Sequence, residues 1–323
     1  MSSPLTSQGL WFHRFGQPAE VLTLESHPLG EPTPGNLRIR MLAAPINPSD
    51  LIPVKGACAH RLSPPGIAGH EGVGIVTHAP DASLLGTRVL PLRGSGTWQQ
   101  YVDCDAAWAV PVPDAVPIAI AARGYINPLA SLLMLKRWPV SGRRLLVTAA
   151  GSACAGLLTQ WALHAGARQV VGVYRSSSHR ERIAALGALP VQQDAAADVA
   201  HAAAQADLIF DAVGGSLATC LLSHAYAQAD FVSYGLLAGV PYSLSDAAVR
   251  PQRFHLRDSL VGIAPYTWQR WFDELWPLLA ATELPPAQYF PLHAWRQALN
   301  LFALPGRRAK PMLAFDNDLV HDF

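Results

Sequence analysis

The stretch LLVTAAGSACAGLLTQWALHAGA, Leu145–Ala167, decides the fold. An apolar run over Leu145–Ala149 leads into Gly151, Ala153 and Gly156, and a helical pattern follows over Cys154–Ala165. Strand, small-residue turn and helix in that order suit a dinucleotide. The first small residue makes the tight turn, the second lets the backbone approach the pyrophosphate on the helix N-terminus, and the third lets helix pack on strand. Ala153 stands where the middle glycine is usual, so the competing reading is a plain βα turn. The flanking sequence favours the dinucleotide.

Downstream, Gln169–Tyr174 reads as a strand, Ser178–Leu186 as a helix, Ala206–Asp211 as a strand, Ser216–Ala227 as a helix and Asp230–Tyr234 as a strand. This alternation predicts parallel βαβ units with both sheet faces covered. Upstream, Val21–Leu24, Leu37–Ala43, Gly72–His78, Thr87–Leu92 and Thr97–Val102 read as short strands between Pro- and Gly-rich turns. The C-terminal ALPGRRAKPMLAF closes with a turn and a strand, and the alanine-rich run near Asp194–Ala206 is left without an element. The expected architecture is α/β. A doubly wound parallel sheet over residues 123–264 is inserted into a β-rich domain built from residues 1–122 and 265–323.

Composition narrows the function. The 323 residues carry 15% charged side chains and a formal net charge of +1, which argues against nucleic acid as a partner. No run reaches the ~18 apolar residues of a membrane span, and the N-terminal segment lacks a signal-peptide core. Cys58, Cys104, Cys154 and Cys220 are dispersed, which fits a reduced, cytoplasmic setting and no four-cysteine zinc lobe.

The second strand ends in VVGVYRSSSHRER, Val170–Arg182. An NAD site usually places an acid there for the ribose hydroxyls. Here Tyr174, Arg175, Ser176 and Arg180 take its place, and guanidinium and hydroxyl groups suit a ribose phosphate. NADPH is therefore expected.

Seven further blocks complete a pattern: INPSDL (Ile46–Leu51), GIAGHEGVGIV (Gly66–Val76), GTWQQYV (Gly96–Val102), YINPLASLLML (Tyr125–Leu135), DLIFDAVGG (Asp207–Gly215), FVSYGLLAG (Phe231–Gly239) and LVGIAPYTW (Leu260–Trp268). With the glycine loop, their order and spacing resemble the zinc-free medium-chain dehydrogenases/reductases, in the branch of quinone oxidoreductases and mitochondrial-type trans-2-enoyl thioester reductases. The resemblance implies a Rossmann domain inserted into a GroES-like substrate domain. It also implies that Gly151, Ser152, Ala153, Cys154, Ala155 and Gly156 hold the pyrophosphate, and that Arg175 and Arg180 hold the ribose phosphate. Asp211, Val213, Gly214, Tyr234, Gly235 and Leu236 would line the nicotinamide side, and the backbone of Gly262, Ile263 and Ala264 would meet the carboxamide.

GHEGVG also resembles the metal block of alcohol dehydrogenases. Asn47 stands where that site needs a thiolate, and His70 alone cannot supply three ligands, so no metal is expected. Two further departures concern substrate. Cys58 occupies the position of the family tyrosine, and Ala130 that of a threonine. Cys58 and Asn47 are the candidate catalytic residues. The implied activity is NADPH-dependent reduction of an activated C=C bond in an enoyl thioester, enone, enal or quinone, in a chain that the resemblance allows to be a homodimer. Competing readings are reduction of another unsaturated biosynthetic intermediate and, from a different class, a non-catalytic NADPH-binding protein.

Overall fold

The structure, a computed structural model, describes residues 5–57, 59–94, 96–316 and 319. The chain divides into two compact units. One comprises Met1–Ile126, Ala264–Ala280 and Pro285–Phe323, and the other Asn127–Ile263 and Ala281–Leu284.

The second unit is built on six strands: β1 (Arg144–Val147), β2 (Gln169–Tyr174), β3 (Leu189–Gln192), β4 (Leu208–Asp211), β5 (Asp230–Ser233) and β6 (Pro251–Arg253). All pairings are parallel and the order is β3-β2-β1-β4-β5-β6. Helices α1 (Ala153–His164), α2 (Arg180–Ala185), α3 (Ala196–Gln205) and α4 (Gly215–His224) connect them. The alternation along each strand explains the double winding. Leu145, Val147, Leu208, Phe210 and Val232 enter one apolar cluster, while Leu146, Ile209 and Phe231 enter another. Successive side chains of a strand point to opposite faces, so both faces of the sheet are buried. The order reverses between β1 and β4, and ligands of such sheets bind at the carboxyl ends of the strands beside that reversal.

Residues 281–284 return to this unit for a visible reason. The Gln160 amide donates to the Glu283 carbonyl at 3.0 Å and accepts from the Glu283 N–H at 2.9 Å. The Trp161 indole donates to the Thr282 hydroxyl at 2.8 Å.

Among the described residues the first unit has two sheets. In one, Ala287–Pro291, Lys310–Ala314, Asn36–Pro45, Val73–His78, Arg88–Leu90 and Val110–Pro111 lie in that order, with Tyr101–Asp105 also paired to Asn36–Pro45. The other is Leu22–Pro28, Thr6–Phe12 and Gly66–Ile67. Trp98 and Trp295 anchor one apolar cluster, and the helix Pro265–Ala280 buries Trp268, Phe272 and Leu275. Among the described residues no helix is long and apolar enough to cross a membrane.

Candidate dinucleotide site

The turn after β1 differs from its sequence reading in one respect. The residue in the left-handed region is Ala149, at φ 49°, and Gly151 has no such φ. Gly151 is required for space instead. A Cβ there would sit 2.4 Å from the ring of His179. Gly156 likewise faces α2, because its Cβ position lies 3.4 Å from the Arg182 guanidinium and 3.6 Å from Leu186. The small residues of the turn therefore let the segment after β2 close down on the loop.

Ser152 caps α1, its hydroxyl accepting from the N–H of Ala155 at 3.2 Å. The N–H groups of the first turn have no intrahelical acceptor, and the helix dipole favours an anion there. Gly151, Ala153 and Ala155 keep bulky side chains away from that turn. Such a turn suits a pyrophosphate. Cys154 contributes backbone rather than chemistry. Its thiol is buried beside Ser131, 3.4 Å from that hydroxyl, and burial pushes its pKa up to about 11.

At the end of β2 the proposed phosphate-holding residues separate. Tyr174 is only 5% exposed and belongs to the apolar core, whereas Arg175 and Arg180 are exposed. The Ser176 and Ser178 hydroxyls lie 3.0 Å apart in the same turn. No carboxylate occurs from Tyr174 to Arg180.

Asp211, at the end of β4, is fully buried and serves the loop itself. Its carboxylate accepts from the Thr148 hydroxyl at 2.8 Å, from the Val213 N–H at 3.1 Å and from the Gly214 N–H at 2.9 Å. Burial raises its pKa, and those hydrogen bonds oppose the rise. Gly214, at φ 74°, and Gly235 allow the turns after β4 and β5 to touch: a Cβ on Gly235 would lie 2.8 Å from the Ala212 carbonyl oxygen. Val213 is half-buried there, and the Tyr234 hydroxyl is buried beside the Cys154 thiol. Leu236 is exposed, as are Gly262 and Ala264, with Ile263 half-buried. Ala264 falls in the first unit.

Of the remaining candidates, Asn47 also lies in the first unit. Cys58 is outside the described residues. Asn47 is 1% exposed, with its amide engaged at both ends: Nδ2 donates to Glu71 Oε1 at 2.6 Å, and Oδ1 accepts from Lys310 Nζ. His70 turns to Asp50, donating its backbone N–H at 2.8 Å. Among the described residues no three His, Cys, Asp or Glu side chains gather in a way that could hold a metal ion. The sequence reading missed both His179 over Gly151 and the charged frame around Asn47. The signal for the frame was available, since Lys310 is one of three lysines and opens a strand, KPMLA, that is otherwise apolar.

Residues 33–114 match the alcohol dehydrogenase GroES-like domain. A Bacillus thuringiensis protein assigned as an NADPH:quinone reductase has a similar structure, with a TM-score of 0.89 and 32% identity, over 97% of this chain and 100% of that one. The chain belongs to the medium-chain dehydrogenase/reductase family. The mitochondrial enoyl-acyl-carrier-protein reductase of Xenopus tropicalis is 29% identical over 263 residues, 76% of this chain and 75% of the relative. The Escherichia coli quinone oxidoreductase shares the fold at 19% identity, with a TM-score of 0.82 over 95% of this chain and 99% of that one. Its family gives the two units their names: the six-stranded unit is the Rossmann part of this oxidoreductase fold, and the first unit carries the GroES-like segment.

Proposed function

We propose that this family member is an NADPH-dependent reductase of an activated C=C bond or a quinone. One observation carries the cofactor choice. Beside a small-residue turn that suits a pyrophosphate, the end of β2 offers exposed Arg175 and Arg180 with serine hydroxyls, and no carboxylate. A carboxylate there would repel a ribose phosphate, and a guanidinium attracts it. The substrate class is supported by the kinship with enoyl and quinone reductases.

When bound, NADPH supplies hydride to the electrophilic carbon of the acceptor. The chain binds and orients. The first turn of α1 would hold the pyrophosphate, Arg175 and Arg180 the ribose phosphate, and Val213, Gly214, Tyr234, Gly235 and Leu236 would shape the nicotinamide side. By the resemblance, the backbone of Gly262, Ile263 and Ala264 would meet the carboxamide. Asp211 keeps the β4 turn in place through three hydrogen bonds. Asn47 enters this reading as part of the buried frame. By resemblance, Cys58 occupies the position of the family tyrosine.

NADPH oxidation measured across enals, enones, quinones and enoyl thioesters tests the proposal. Turnover with at least one class supports it. Tight NADPH binding with no turnover in any class would favour a non-catalytic protein. Cys58→Ala is expected to lower kcat by less than the ~10²–10³-fold typical of deleting an oxyanion donor, because a thiol is a weak donor that water can replace. A larger loss, with NADPH affinity intact, would make the thiol catalytic.

A further inference from the structure

A frame of four charged or polar side chains lies buried in the first unit: Asn47, Asp50 and Glu71 are each 1% exposed and Lys310 is 7% exposed. Its members come from distant parts of the chain. Asn47 and Asp50 cap the helix Pro48–Val54, Glu71 lies in the turn before the strand Val73–His78, and Lys310 opens the strand Lys310–Ala314. Lys310 Nζ donates to the Ile46 carbonyl at 2.7 Å and to Asn47 Oδ1. Asn47 Nδ2 passes the contact on to Glu71 Oε1 at 2.6 Å, and its backbone N–H donates to Asp50 at 2.7 Å.

The second oxygen of Glu71 does something different. Glu71 Oε2 accepts from the N–H of Tyr125 at 3.0 Å and of Ile126 at 2.7 Å. These are among the first N–H groups of the helix Ile126–Arg137, which have no intrahelical acceptor. Glu71 and the Tyr125 and Ile126 N–H groups belong to the first unit, which ends at Ile126. The helix that starts on this carboxylate carries Ala130, the position whose family counterpart is expected beside the substrate.

We propose that Glu71 is a positioning residue of the reductase site: its ionised carboxylate, held through Asn47 by Lys310, anchors the first turn of the helix Ile126–Arg137, and protonation loosens that anchor and slows turnover. The inference rests on the reductase reading for its catalytic half only. Its chemistry follows from the donor count. Glu71 receives three N–H donors, all of which suit a carboxylate. A carboxylic acid carries one O–H, which opposes a donor and leaves the frame one acceptor short.

The charges facing Glu71 decide where this happens. Burial pushes its pKa up to about 7; the Ile126 N–H opposes the rise, Asp50 adds to it, and Lys310 and Asn47 oppose it. Burial lowers Lys310 to about 8 against the pull of Glu71 and Asp50, with Arg307 and Arg123 adding to the lowering. His70 completes the surroundings, with Nδ1 3.2 Å from Asp50. The acid form of Glu71 is therefore reached close to neutrality.

Hydrogen exchange of the unligated protein, corrected for intrinsic rates and read on a peptide spanning Tyr125 and Ile126, tests the anchor without any activity. Protection should fall about tenfold between pH 8 and pH 6, following the ionised fraction of a group with a pKa near 7. Glu71→Gln should show low protection that does not vary with pH. Lys310→Arg should keep the wild-type profile, since the charge is retained. Protection independent of pH in the wild-type protein, which needs no variant, would overturn the proposal. So would an unchanged profile in Glu71→Gln. In turnover, kcat should fall on the acid side with the same midpoint, with KM for NADPH unchanged, and Glu71→Gln should lose the acid limb. An exchange profile that titrates while kcat does not would remove the positioning role. Absence of any NADPH oxidation would instead count against the reductase reading and leave the exchange result to decide the anchor.

Discussion

Lys310→Met is expected to lower the free energy of unfolding by about 3–5 kcal/mol near pH 7.5, the usual range when one partner of a buried charge set is removed. Methionine fills a similar volume, so the loss is electrostatic. Without the ammonium, the carboxylates of Glu71 and Asp50 remain buried without their nearby cation, and the Ile46 carbonyl and Asn47 Oδ1 lose the Lys310 donor. The pH dependence gives the sharper test. Glu71, raised by burial from 4.5 to about 7, binds more protons folded than unfolded between those values, so its contribution to stability falls as pH rises through that window. Lys310, lowered by burial from 10.5 to about 8, binds fewer protons folded, so its contribution rises between about 8 and 10.5. Near pH 5 Glu71 is neutral and needs its cation less. The deficit of Lys310→Met should therefore shrink at about pH 5 and be largest above about pH 7. Urea unfolding at both values checks this, and Lys310→Met with Glu71→Gln should recover part of the loss. A deficit below about 1 kcal/mol at pH 7.5 would mean that the frame tolerates an unpaired carboxylate.

The same frame shows where sequence reading runs out. Lys310 and Asn47 are 263 positions apart, and no local period joins them. Strands β1, β2, β4 and β5 were legible because both their faces are buried, which leaves short apolar runs between turns. β3, with the sequence LPVQ, and β6, with PQR, lie at the sheet edges and carry little of that signal. Helix α3 was hidden in its alanines: only Val199 and Ala203 are buried, so the periodic contrast is faint. The helix Pro265–Ala280 was missed for the opposite reason. Its aromatic residues and Pro277 look irregular, although Trp268, Phe272, Leu275, Trp276 and Leu279 recur at helical spacing on its buried face. In the candidate site, the turn and the cationic end of β2 were legible because they are local. His179 was not, since only the fold sets an imidazole against Gly151.

Arg175→Ala is expected to weaken NADPH binding about ten- to hundredfold while changing NADH binding little. A hydrogen bond to a charged group contributes about 1.5–3 kcal/mol, which converts to that range of affinity. The expectation follows from where the two arginines sit. Arg175 directly follows β2, at the carboxyl edge where the sheet presents its ligand, and its exposed guanidinium is free to turn toward an added phosphate. Arg180 begins α2, five positions further on, and Arg180→Ala should cost less. Tyr174 is no substitute, because its ring is in the core. NADH lacks the ribose phosphate and has nothing for Arg175 to grip, so a selective loss identifies the contact. Titration of cofactor fluorescence with both nucleotides measures it at low and moderate salt, and the NADPH loss should narrow as salt screens an exposed charge. Equal losses for both cofactors would place Arg175 on the pyrophosphate. No loss for either would leave the cofactor preference to the groups that close over Gly151, with His179 the first to substitute.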